Sequence, residues 1–290
     1  MSQIEIYQLP PPEVVQQLDA SLIRTRMLKR YAELSNTSVP KAGDPLYFAF
    51  SAMSEEVTRA RQEFQDISLE NMVAYATGTN LQRLADWRPV EKFPTETDDE
   101  FRRRVQMAPE SFSTAGPDGA YIFHALAADE DVQDAYPTSP DGFVVDLYIL
   151  SRTGDGTASQ ALRDKVYQHV NQEKLRPLND DLTVKSAVIK PYRIVVELTL
   201  PAGPGESETL AQARNRLQQL AKETHVLGGN VTLSLIDAAS HVQKSVDESV
   251  SFQPVIDVTI VEPAASVLCS KSEAPYCTEI IVTQAGVANE

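Results

Sequence analysis

A strand pattern that returns after 51 residues constrains this chain more than any other feature: Val144-Val145-Asp146-Leu147 comes back as Val195-Val196-Glu197-Leu198. A second pair, Leu182-Thr183-Val184 and Val231-Thr232-Leu233, repeats at 49 residues. Between the members of each unit lie a Gly-containing turn and a stretch of helical periodicity. The first helix is expected to be capped by Thr157 with Gln160 and to bury Leu162, Val166 and Val170. The second follows Gly203-Pro204-Gly205 and carries Leu210, Leu217 and Leu220. Tyr192, Ile194, Val196, Leu198 and Leu200 alternate with Arg193, Glu197 and Thr199, as in a sheet covered by helices on one side. Two strand–helix–strand units in tandem predict α+β layers rather than a helical bundle. From about Val242 to Val282, short strands are expected between Pro254, Pro263 and Pro275.

The first hundred residues read differently. Pro10-Pro11-Pro12 fixes φ three times and removes three N–H donors, so this arm is extended. A helix can begin only after it, near Glu13, and a proline-stiffened arm suggests a strap laid along a partner. Asp44-Pro45 is a helix start, with Asp as cap and Pro at the first helical position. Beyond it Phe50, Met53, Val57, Ala60, Phe64 and Ile67 recur at spacings of three and four, a heptad seam of about two and a half repeats. A narrow seam ordinarily packs within its own domain. Residues 1–109 offer no other long helix with an obvious matching face and little else that reads as a core, so burial against other chains is the expectation. Burying all six would yield about 9–18 kcal/mol gross, at about 1.5–3 kcal/mol each. Gly78 should break the helix, with Leu81, Leu84 and Trp87 opening a short second one. Thr97-Asp98-Asp99-Glu100 is a capping box, and the helix behind it buries Phe101 and Val105. Arg102, Arg103 and Arg104 read either as a solvated face balanced by those acids or as a docking patch for an acidic neighbour.

Composition limits the chemistry. Across 290 residues, 26 Lys plus Arg stand against 41 Asp plus Glu, a net charge of −15, which disfavours nucleic acid or an anionic membrane as the main partner. No apolar run reaches the roughly 18 residues of a membrane span, and Glu5 with no basic-then-apolar segment gives no sign of a signal peptide. Cys269 and Cys277, without a signal segment, are expected as free thiols in a reducing cytosol. His124, His169, His225 and His241 are widely separated and form no paired-His motif. Gly154-Asp155-Gly156 lacks the Gly-Lys-Ser/Thr ending of a phosphate loop and reads as a turn. Asp129, Glu130 and Asp131 are consecutive, unlike the alternating ligands of oxygen-rich cation loops. No catalytic residue, cofactor or metal ligand is assigned.

Several spaced stretches point to one family. They are Gln8-Leu9-Pro10-Pro11-Pro12-Glu13-Val14-Val15 with Leu18-Asp19; Ala76-Thr77-Gly78-Thr79-Asn80-Leu81-Gln82-Arg83-Leu84-Ala85; Thr97 to Val105; Ser113-Thr114-Ala115-Gly116-Pro117-Asp118-Gly119-Ala120-Tyr121-Ile122-Phe123-His124; and Tyr276-Cys277-Thr278-Glu279. In this order, over nearly the whole chain, they resemble the baseplate assembly protein J family of contractile-tailed phages and phage-tail-like (R-type) bacteriocins, or tailocins. The resemblance implies a structural, non-enzymatic wedge subunit. Two J copies would join one protein I-like wedge subunit through an amino-terminal helical bundle. Neighbouring wedges would link into a ring around the hub, beside the sheath-initiating baseplate proteins, coupling fibre engagement to sheath contraction. The protein would assemble in the bacterial host cytoplasm and end in the baseplate of the released particle.

Carried onto this chain, the fold class is α+β with four segments: 1–43, an extended arm and short helix; 44–118, the bundle segment; 119–190, a first α+β module; and 191–290, a second with carboxy-terminal strands. The partner-binding seam is Phe50, Met53, Val57, Ala60, Phe64 and Ile67. The alternatives are a tail-associated cell-wall hydrolase using carboxylates such as Glu130 and Asp134, and a free-standing oligomer. With no ligand set among the His, Cys and acidic residues, EDTA should leave the melting temperature unchanged. A shift of several degrees restored by one metal, read by differential scanning, would show otherwise.

Overall fold

The computed structural model describes residues 10–15, 19–88, 90–112, 118–172, 175, 179–201, 205–242, 244–247, 250–252 and 255–288. They form an α+β protein whose chain divides into two compact units, Met1–Ala108 and Pro109–Glu290.

In the first unit, α1 (Ala20–Ser35) packs along α2 (Pro45–Leu69). Asp19 caps α1 by accepting from the Ser21 N–H at 2.7 Å, so the first helix starts beyond Glu13, which stays outside it. Asn36, at φ 53°, ends α1 in the left-handed region that short polar side chains tolerate. Asp44 caps α2 through the Leu46 N–H at 2.9 Å, with Pro45 in the first turn as the sequence predicts. Contrary to expectation, α1 is a long helix facing the seam helix: Ile23, Leu28 and Ala32 are buried on it. The small Ser54 is the one buried residue of α2, and the Tyr31 and Phe50 rings meet at 5.6 Å. The described part of the arm lies on its own chain. Val14 and Val15 donate their N–H groups to Gln65 Oε1 at 2.9 and 3.0 Å, and Gln65 Nε2 donates to the Pro12 carbonyl at 2.8 Å.

A second small core joins α3 (Gly78–Ala85) to α4 (Asp98–Met107) around Leu81, Ala85, Phe101 and Val105. The unit therefore holds more core than its sequence promises. Trp87 takes no part: it lies beyond α3 and is 91% exposed. The capping box forms as read, Thr97 and Glu100 each bonding the other's backbone N–H. The arginines do not behave as read. Arg102 and Arg104 are buried, neither solvated nor available for docking. Arg102 donates to the carbonyls of Val73 at 2.9 Å and Ala76 at 2.8 Å and pairs with Asp99. Arg104 forks onto both Glu96 oxygens at 2.7 and 2.8 Å, donates to the Glu91 carbonyl, and stacks over Phe93 at 4.2 Å. The irregular segments around residues 73–76 and 91–96 gain hydrogen bonds from these two side chains. Only Arg103 faces outward.

In the second unit, β1 (Val132–Asp141), β2 (Val144–Ser151) and β3 (Asp181–Ser186) form a sheet in that order. β1 is antiparallel to β2, and β2 is parallel to β3. The crossover is α6 (Gln160–Val170), which buries Leu162, Val166 and Val170 as predicted and packs with α5 (Asp118–Ala128). Its cap is Ser159 rather than Thr157: Ser159 Oγ accepts from Leu162 N–H at 3.2 Å, while Thr157 N–H turns to Asp155 at 3.0 Å. In the preceding turn Gly156 has φ 95°, and a Cβ there would meet Leu150 at 2.6 Å.

Ala187 alone separates β3 from β4 (Val188–Pro201), the centre of a second sheet ordered β7-β4-β8, with β7 at Asp257–Glu262 and β8 at Glu273–Ala288. Tyr192, Ile194, Val196, Leu198 and Leu200 are all buried beneath α7 (Glu206–Thr224) and α8 (Leu233–Ser240). The second half of the repeat is where the sequence misleads. Val231 makes only an isolated bridge to Val267, and Thr232 caps α8. The strand that returns parallel to β4 is β8. Pro275 lies inside β8 instead of ending a strand, which an edge strand tolerates. Pro254 lies outside the described residues. A short hairpin, β5 (Lys244–Asp247) with β6 (Val250–Phe252), precedes β7.

The two sheets are tied at one end. Leu150, Ala187, Leu227 and Ala274 form a small cluster, Asp134 accepts the Leu227 N–H at 3.1 Å, and Gln133 donates to the His225 carbonyl at 2.7 Å.

Glu96 and Arg104 side chains are both nearly sealed from water, so removing one strands the other's charge. Arg104→Ala or Glu96→Ala should each cost about 3–5 kcal/mol, whereas the double change to Met at both positions should recover most of it. Urea unfolding of the three variants checks this.

Candidate protein-docking face

The sequence seam sits on α2, about 37 Å long at the usual rise of about 1.5 Å per residue, and the fold divides it. Phe50 and Val57 lie half-buried toward α1. Met53 (54% exposed), Ala60, Phe64 (59%) and Ile67 (63%) face outward together. Leu46, 39% exposed, extends that row by one heptad toward the amino terminus. Its signal was present, since Leu46, Met53, Ala60 and Ile67 are spaced by seven, but a residue in the first turn after a proline is easily assigned to the cap. Large apolar side chains aligned over most of a 25-residue helix form a contiguous patch of the kind that marks a protein contact. Its polar border contains Arg59, paired with Glu56 and within 4.0 Å of Glu63. All three side chains are about two-thirds exposed, so these pairs add little stability and leave the face accessible.

Elsewhere the residues weighed for chemistry have structural employment. Asp129 binds Lys165 at 2.7 Å and Asp131 accepts from Ser151 Oγ at 2.8 Å. Asp134 is buried at the junction of the sheets, while Glu130 is exposed and its carbonyl accepts from Arg152 at 2.8 Å. Among the described residues no group of three or more His, Cys, Asp or Glu is placed to hold a metal ion, and no helix is long and apolar enough to cross a membrane. Cys269 and Cys277 are free, and burial pushes both thiols up. His225 Nδ1 lies 2.7 Å from the Pro275 carbonyl. His124 on α5 and His169 on α6 face each other with ring centroids 6.0 Å apart.

The Baseplate J-like central domain matches residues 113–186, the stretch that contains α5, β1, β2, α6 and β3. Baseplate protein J of Escherichia phage P2 is 31% identical over 306 residues, covering 98% of this chain and 98% of its own length. The chain belongs to the baseplate J family. The central-domain match begins at residue 113, so α2 lies outside it, within the span shared with the phage P2 protein.

The facing histidines make a pH prediction. Burial, helped by His169, pushes His124 down to about 4, and burial also lowers His169. Both imidazoles are therefore neutral in the fold, while the unfolded chain takes up protons below about 6.5. Their contribution to stability is complete above that value and is lost as pH falls toward about 4. Between pH 7 and 5, before carboxylates dominate, the urea midpoint should decline, and His124→Phe should flatten the decline. An unchanged slope in the variant would remove the imidazole from this role.

Proposed function

We propose that this protein is a structural wedge subunit of a contractile-tail baseplate, in a phage or a tailocin. Membership of the baseplate J family supports a structural role in a baseplate, association with other baseplate proteins, and a scaffold rather than an enzyme. On this reading α2 enters an intersubunit helical bundle with a second copy of the chain and a protein I-like wedge subunit. The α+β half links neighbouring wedges into a ring around the hub and couples fibre engagement to sheath contraction. The chain works as four segments, 1–43, 44–118, 119–190 and 191–290. It assembles in the host cytoplasm and leaves in the baseplate of the tail particle.

The observation that carries the bundle is the outward row Leu46, Met53, Ala60, Phe64 and Ile67, which flanks the strip of α2 that faces α1. Water-exposed, this row gains nothing for the isolated chain; covered by partner helices, each large residue contributes about 1.5–3 kcal/mol. Heptad spacing favours helices as the cover.

Phe64→Asp separates assembly from folding. Phe64 is exposed in the single chain, so the melting temperature should hold within a few degrees, whereas a carboxylate buried without a partner in the bundle costs several kcal/mol. Co-expression with the partner wedge protein and affinity pull-down should show a loss of at least tenfold. Undiminished complex would take this helix out of the interface.

A further inference from the structure

We infer that an acidic helix of the protein I-like subunit docks along the outer face of α1, on Leu22, Arg26 and Lys29. This contact rests on the wedge role proposed above and uses a surface other than the α2 row. Helix α1 carries Arg24, Arg26, Lys29 and Arg30 against Glu33 alone, a net charge of +3 in a chain of −15. Among the described residues no other helix exceeds +1. Folding accounts for only part of that charge. α1 packs on α2 through Ile23, Leu28 and Ala32, Arg24 lies over the Tyr47 ring at 5.0 Å, and Arg30 pairs with Glu33 at 3.1 Å. Arg26 and Lys29 are exposed and have no ion pair among the described residues.

Spacing gives the shape of the occupant. Leu22, Arg26, Lys29 and Glu33 follow at intervals of four, three and four, so they form one line along α1, and all four are exposed. At the usual rise the line is about 16 Å long, enough for a partner helix to lie along it. Leu22, 54% exposed, supplies an apolar anchor at one end, and the two free cations sit in the middle. Charge selects the sign of that helix, and complementary charge acts mainly on association rate and on the choice of partner. Nucleic acid or an anionic bilayer would meet the field of the whole acidic chain. A single helix sits within the Debye length of about 8 Å, where the cations of α1 dominate. A second copy is the poorer occupant. It presents the same cations on its own α1, and its most acidic helix, α2, already sets Arg59 between Glu56 and Glu63.

The test uses the full-length chain and the immobilised partner wedge protein, with association rates read by biolayer interferometry at about 50 and about 500 mM NaCl. The rate for the parent should fall at least tenfold at the higher salt. Arg26→Glu with Lys29→Glu should lose at least tenfold at low salt, with unchanged circular dichroism, because like charges then meet along the line. Arg26→Gln with Lys29→Gln should retain the helix and flatten the salt response. Carbodiimide coupling identifies the occupant: Lys29 should cross-link to Asp or Glu residues on one helix of the partner. Association indifferent to salt, a charge-reversed variant that binds like the parent, or Lys29 coupled to the acids of a second copy would each overturn the contact. If any of these occurs while Phe64→Asp still abolishes the complex, the wedge role stands without α1. A parent that does not associate at either salt overturns both.

Discussion

Parallel strand pairing governs the larger unit. Parallel strands cannot be joined by a tight hairpin, so β2 to β3 and β4 to β8 each require a long connection, and each connection contains a helix that buries the sheet's apolar face. In the first sheet α6 suffices. In the second the connection runs through α7, α8, a hairpin and β7 before the chain returns as β8. The same central-strand logic thus appears twice, with the antiparallel neighbour arriving before the crossover in one sheet and within it in the other. Because Ala187 alone intervenes between β3 and β4, and Asp134 and Gln133 reach the 225–227 turn, the sheets are held at one end by hydrogen bonds as well as by the Leu150–Leu227 cluster.

The smaller unit rests on a different device. It has few large buried side chains, and its irregular segments need hydrogen-bonding partners. Arg102 and Arg104 supply them, each spending its fork on carbonyls and carboxylates that would otherwise be buried or unordered. Arginine suits this role because its planar group is always charged, stacks on Phe93, and satisfies several acceptors at once. Economy of core in this unit is also what leaves α2 half covered: α1 takes one side and the Leu46–Ile67 row stays outside.

These surfaces match the demands of a scaffold protein. A member of the baseplate J family needs stable modules and faces that become buried only on assembly. Helix α2 exposes one apolar row, Leu46, Met53, Phe64 and Ile67, to solvent in the single chain.

Sequence alone determined the α+β class, the start of α2, the capping box, the inward alternation of β4 and the buried stripe of α6, because each follows from local periodicity or from a cap within a few residues; the end of α2, expected at Gly78, falls at Leu69. It also carried the motifs that resemble the family. The seam was legible as a heptad, though which of its residues face α1 and which face outward was not, since both rows satisfy the same spacing. Only the tertiary structure decided that Arg102 and Arg104 turn inward, because their acceptors at Val73, Ala76, Glu91 and Glu96 are 8 to 29 residues away. Only it decided that β8, rather than residues 231–233, completes the second crossover. Val231-Thr232-Leu233 has the composition of a strand, but pairing is a long-range event: β7 and β8 occupy both sides of β4, so no place beside it is left for this segment, which becomes a bridge and a helix cap.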